Sequence, residues 1–169
     1  MSHTVKVSVE FKDRTSLAAA VVAMGGTVQG EGVHKLYSSQ ERGFGFSLPN
    51  WKFPLILRHD DNSLAFDDYH GSWGNVADLV TLRETYTIEV ARQAATNNGW
   101  ISEVQPAGEL LIYYPDGGTF TVFKDGTVDA NGFTGVGCDV AAKIENALGA
   151  VTDRSNKVEY HAERATVLE

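Results

Sequence analysis

The chain has 169 residues, with 14 Lys and Arg against 22 Asp and Glu, a formal charge of −8. That length fits one domain or two small modules, and the acidic balance argues against tracking a nucleic-acid backbone or a polybasic membrane patch, both of which need clustered cations. The longest apolar runs, Leu17 to Met24 and Phe53 to Leu57, fall short of the ~20 residues of a membrane helix, and Met1-Ser2-His3 opens no signal-like segment; the lone Cys138 supports neither an internal disulfide nor a thiolate cluster. The expectation is a cytoplasmic protein without nucleic-acid or membrane partners.

Thr4 to Phe11 alternates apolar and polar residues with period two, the signature of a strand with one buried face. Asp13 or Thr15 then caps a short helix in which Leu17, Val21 and Met24 recur at helical spacing, and Gly25-Gly26 stops it. Thr27 to Tyr37, Gly43 to Leu48, Phe53 to His59 and Leu64 to His70 read as strands between Gly, Pro, Asn and Asp breakers. Val76, Leu79, Leu82, Tyr86, Val90 and Ala94 trace one stripe of a long helix that Asn97-Asn98-Gly99 ends. Trp100 to Val104, Glu109 to Tyr114, Thr119 to Phe123 and Thr127 to Ala130 form a meander joined by Gly-containing turns. A last helix runs from about Cys138 to Leu148 on Val140, Ile144 and Leu148, with Gly149 at its end, and Thr152 to Lys157 reads as a polar loop. Strands and helices are segregated, so the class is α+β: antiparallel sheets with a short N-terminal helix, one long central helix and one C-terminal helix.

Four carboxylates and two imidazoles crowd the segment from Arg58 to His70. A hairpin turning at Asp60 to Ser63 makes Asp60 and Asp61 turn residues and brings Arg58 toward Asp67 across the strands. It also leaves Asp68 and His70 two residues apart on one strand face, with His59, or His34, as a further member of a metal or acid/base set. No named metal or catalytic spacing is matched. Gly132 to Cys138 leads into the last helix, so Gly135, Gly137 and Cys138 are candidates for holding an anion over the helix start. The spacing is neither a dinucleotide fingerprint nor a P-loop, and glycines also serve simply to shape such a turn; no cofactor is expected. Trp51, Trp73, Trp100, Tyr69, Tyr113 and Tyr114 suit a pocket or an interface as well as a core.

Met1 to Thr4, the first strand and helix, and Trp73-Gly74 followed by the long helix to Asn97-Asn98-Gly99-Trp100 resemble domain-of-unknown-function family 1257, which includes the hypothetical chloroplast open reading frame 35 proteins of plastids and cyanobacteria. Asp125 to Val128, Gly132 to Cys138 and Ala147-Leu148-Gly149 resemble domain-of-unknown-function family 2997. The resemblance implies a fusion: an α+β module over 1–105, a meander-plus-helix module over 106–161, and a tail over 162–169 whose Leu168-Glu169 is consistent with a cloning remnant. Neither family has an established catalytic activity, and their genes are similar to those found near ATPases of the AAA class. The implied function is a non-enzymatic binding or adaptor protein, cyanobacterial or phage-like, acting on a protein partner such as an AAA-class ATPase. Two alternatives stay open: a ligand-sequestering protein that holds an anion or nucleotide at Gly135 to Cys138, and a metal-dependent hydrolase using His59, Asp68 and His70.

Overall fold

A computed structural model describes residues 3–115, 117–132 and 137–156. The elements in chain order are β1 (His3–Val9), α1 (Arg14–Ala23), β2 (Thr27–Lys35), β3 (Gln40–Ser47), β4 (Leu55–Arg58), β5 (Leu64–Ala65), α2 (Ala77–Asn97), β6 (Ile101–Val104), β7 (Leu110–Tyr113), β8 (Thr119–Val122), β9 (Thr127–Asn131), α3 (Gly137–Leu148) and β10 (Gly149–Asn156). The protein is α+β, with two antiparallel sheets and the short, long and C-terminal helices read from the sequence. Among the described residues no helix is long and apolar enough to cross a membrane.

The chain divides into two compact units, Phe11–Tyr86 and Met1–Glu10 with Thr87–Glu169. This differs from the expected boundary at residue 105. The physical reason lies in β1, which pairs with β9 on one side and β10 on the other, so the first strand belongs with the end of the chain.

The unit formed by residues 11–86 holds the sheet β2-β3-β4-β5. Asp13 is the N-cap of α1: its carboxylate accepts from the Thr15 N–H and the Ser16 hydroxyl, which satisfies donors that the first helical turn leaves unpaired. Gly25, at φ 85°, makes the left-handed exit that follows the C-cap residue Met24. Leu17, Ala20 and Val21 of α1 are buried, as are Phe46, Leu55, Leu57, Leu82 and Tyr86. Each large aliphatic side chain so removed from water contributes roughly 1.5–3 kcal/mol. Strand β4 is buried on both faces, and a second, smaller core of Leu36, Ile56 and Ala65 forms with Phe53 packed against it. The Tyr86 hydroxyl accepts the backbone N–H groups of both Lys12 and Asp13, tying the helix stripe to the entry of α1.

Strand β5 is shorter than expected, ending at Ala65 where the sequence pattern ran to His70. Tyr69 and His70 adopt left-handed φ angles of 43° and 54°, which no strand tolerates.

The other unit holds the sheet β10-β1-β9-β8-β7-β6. Its meander from β6 to β9 follows the turns read from the sequence, and Leu110, Ile112, Phe120, Val122, Val128 and Ala130 supply the buried face. Ile144 and Leu148 of α3 are fully buried. The segment expected as a polar loop, Thr152 to Lys157, lies within β10 as far as Asn156, paired antiparallel with β1 from Val9↔Gly149 to His3↔Asn156 and bulged between Lys6 and Val7. Its polar composition hides the strand because the pairing uses backbone groups on an otherwise open edge of β1.

Candidate functional site

Among the described residues, His59, Asp68 and His70 form no group that could hold a metal ion. His59 Nε2 lies 2.6 Å from Glu31 Oε2, both side chains half-exposed, and Arg14 Nε stands 3.9 Å from the other oxygen of the same carboxylate. His34 Nε2 is 2.8 Å from the Gly30 carbonyl oxygen. Asp68 and His70 sit in the loop after β5 rather than on a strand face. Among the described residues no three His, Cys, Asp or Glu side chains stand where they would share a metal ion. The local turn displaces Asp68 and His70, and Glu31 engages His59. Arg58 likewise meets Glu41, with Nε 2.5 Å from Oε1, and donates to Ser63; it shares a cavity wall with Asp67 but forms no ion pair with it. Glu41, by hydrogen bond and charge, holds the guanidinium above its ordinary pKa. Asp61 is the turn residue the sequence implied: its carboxylate accepts from the Ser63 N–H and hydroxyl, and this holds the carboxyl below its usual range. Gly135 lies outside the described residues, and Gly137 and Cys138 open α3.

What the fold assembles instead is a cluster of aromatic side chains drawn from three separate segments. Tyr37 follows β2, Phe53 precedes β4, and Tyr69 and Trp73 belong to the loop between β5 and α2. Trp73 is the hub. Tyr69 stacks on it with centroids 4.7 Å apart and planes 22° from parallel; Tyr37 meets it at 4.9 Å and Phe53 edge-on at 5.2 Å. Lys52 Nζ lies 5.1 Å from the same ring, within cation–π range. Tyr37 is 68% exposed and Tyr69 60%, an unusual amount of aromatic surface to leave wet.

The scaffold that presents these rings is closely tied. The Asp68 carbonyl accepts the N–H groups of both Gly71 and Trp73, Ser72 N–H donates to the Tyr69 carbonyl, and Lys52 N–H donates to the Trp73 carbonyl. These bonds hold Tyr69 and His70 in left-handed backbone, a conformation that costs of order 1–3 kcal/mol at each non-glycine residue and concentrates at functional positions. Below Trp73, Gly74 lies flat against Trp51: a Cβ there would come 2.3 Å from the indole. Trp51 is buried, and its Nε1–H donates to Asp78 in the first turn of α2.

Beside Tyr37 lies a cavity of about 300 Å³ walled by Leu36, Leu64, Ala65 and Phe66 with the polar groups of Glu41, Arg58 and Asp67. The Tyr37 N–H donates to Asp67 Oδ2 at 2.9 Å, which links the cavity to the aromatic cluster. Glu41 is balanced by Arg58, whereas among the described residues no Lys, Arg or His forms an ion pair with Asp67. The sequence contained one clue to this site, its abundance of Trp and Tyr, but only the fold separates the buried Trp51 and Trp100 from the presented Tyr37, Tyr69 and Trp73. No family model, curated protein or solved structure matches the chain.

Proposed function

We propose that this protein is a non-enzymatic binding or adaptor protein that docks a partner protein on the exposed cluster of Tyr37, Tyr69 and Trp73. The observation carrying this reading is the pair of solvent-facing tyrosines held on Trp73 by a strained, hydrogen-bonded loop. Aromatic side chains that are rigid and partly exposed are the groups that dominate docking energetics, because they bury large areas at little cost in side-chain entropy. The resemblance to families 1257 and 2997 supports the same reading and nominates an AAA-class ATPase as the partner. The protein is taken to act in the cytoplasm, where its single cysteine stays reduced.

The test is quantitative affinity purification from the source cells with the wild-type chain and a Tyr37→Ala/Tyr69→Ala variant, followed by reconstitution of any stoichiometric partner from purified components. A partner that reconstitutes with the wild type and is lost with the variant is expected. Recovery of no partner, or of one indifferent to both substitutions, overturns the reading.

A further inference from the structure

Building on that reading, we infer that the partner's docking element is an extended, proline-rich segment carrying an arginine, with the prolines on the aromatic cluster and the arginine at Asp67. Three observations select this chemistry. First, the ring centroids of Tyr37 and Tyr69 lie 4.9 and 4.7 Å from that of Trp73, so the tyrosines are at most the sum of these apart. That upper bound is close to the length of one turn of a polyproline II helix, three residues at about 3.1 Å each. Such a helix leaves its backbone unpaired and its rings outward, and aromatic-lined surfaces read it at little ordering cost.

Second, the cavity beside Tyr37 presents mainly polar groups, in which Arg58 is engaged by Glu41 while the carboxylate of Asp67 forms no ion pair among the described residues. A guanidinium matches such a site because its planar fork suits a carboxylate. Third, the Tyr37 backbone N–H to Asp67 hydrogen bond holds the carboxylate at the Tyr37 main chain, so an arginine paired with Asp67 lies next to this residue. Lys52 already occupies cation–π range of Trp73, which leaves Tyr37 and Asp67 as the place for an incoming cation.

The experiment is fluorescence anisotropy of labelled synthetic peptides titrated with the full chain: a proline-rich decamer with one flanking arginine, the same decamer with that arginine replaced by glutamine, the same with its prolines replaced by alanine, and a single-stranded oligonucleotide, whose bases also stack on exposed rings. The arginine decamer is expected to bind, with a loss of about tenfold or more on replacing either the arginine or the prolines, since a hydrogen bond to a charged group is at stake in the first case. Asp67→Asn is expected to weaken the arginine decamer by a similar factor and to leave the glutamine decamer unchanged. Tyr69→Leu, whose thermal unfolding is checked in parallel, is expected to weaken both, and Tyr37→Leu serves the same purpose if Tyr69→Leu does not fold. Absence of binding to the arginine decamer overturns the inference, as does equal binding of the arginine and glutamine decamers, indifference to Asp67→Asn, or preference for the oligonucleotide. If reconstituted partner binding depends on Tyr37 and Tyr69 while no proline-rich peptide binds, the adaptor reading stands and this inference falls. Loss of partner dependence as well removes both.

Discussion

Tyr69 lies almost flat on Trp73, four residues later in the chain, although its own backbone is left-handed to do so. The stacking and the loop hydrogen bonds offset the conformational cost at Tyr69 and His70. Removing the two aromatic groups should therefore have unequal effects. Tyr69→Ala, at a mostly exposed ring, is expected to lower stability by about 1 kcal/mol, the scale of one aromatic pair. Trp73→Ala removes the hub of three ring contacts and is expected to cost about 3 kcal/mol. Urea unfolding followed by far-ultraviolet circular dichroism measures both, and equal losses would contradict the hub assignment.

Gly74 is the support beneath that hub. Gly74→Ala places a methyl group where the Trp51 indole stands, so the indole must shift and loosen its hydrogen bond to Asp78. A destabilisation of about 1–3 kcal/mol is expected, the usual cost of overpacking. Near-ultraviolet circular dichroism should lose tryptophan fine structure in the variant, and an unchanged spectrum would show that the indole has room to spare.

At the far end of the same unit's helix stripe, Tyr86→Phe leaves the Lys12 and Asp13 N–H groups without their acceptor. The expected loss is about 1–3 kcal/mol, the penalty for an unsatisfied donor. Burial also pushes the Tyr86 hydroxyl above its ordinary pKa, against the smaller opposing pull of the two N–H groups. Because the folded-state value is raised, the folded protein holds this proton at pH values where the unfolded chain has released it, and stability falls as pH rises above about 10. A pH series of thermal unfolding should show that this fall is shallower in Tyr86→Phe.

On the acid side the sign reverses. Ser63 holds the Asp61 carboxyl below its usual range, so its contribution is complete above the unfolded-state value near 3.9 and is lost as pH falls through the folded-state value. Asp61→Ala is expected to lower the melting temperature slightly at neutral pH and by progressively less as pH falls through the folded-state value; a difference that persists undiminished in acid would mean that the turn, and not the charge, is what the carboxylate supplies.

The fold was legible in the sequence wherever one local pattern decided it. The 3.6-residue stripe through Leu82, Tyr86 and Val90 is buried along α2, and the Gly-containing turns place β6 to β9. Two segments were misread for opposite reasons. Phe66 to His70 alternates like a strand, yet Tyr69 finds a better partner in Trp73 than in a neighbouring strand. Thr152 to Asn156 lacks alternation, yet backbone pairing with β1 makes it part of a strand. The site was the least legible part. Residue type drew attention to His59, Asp68 and His70, whereas Tyr37, Phe53 and Trp73 meet only after a hairpin and a loop have brought three distant segments together.

The division of the chain makes one further outcome measurable. A fragment of residues 1–105 retains β1 and β6 but lacks β7, β9 and β10, the partners of both strands. It is expected to show a cooperative transition smaller than the full chain's and extensive amide exchange in residues 3–9 and 101–104. Native-like protection of those strands would restore the boundary at residue 105.

The placement of β1 between β9 and β10 also sets an order of events on the ribosome. Residues 11–86 contain every strand of their own sheet and can close it as soon as they emerge. The first strand cannot: its partners begin at Thr127 and Gly149, more than a hundred residues later. At roughly 5–20 residues per second, β1 waits on the order of ten seconds with both edges bare. The polar residues Thr4, Lys6 and Ser8, alternating with its valines, then serve the nascent chain as much as the finished fold, because they oppose self-association of a strand that is made long before its partners.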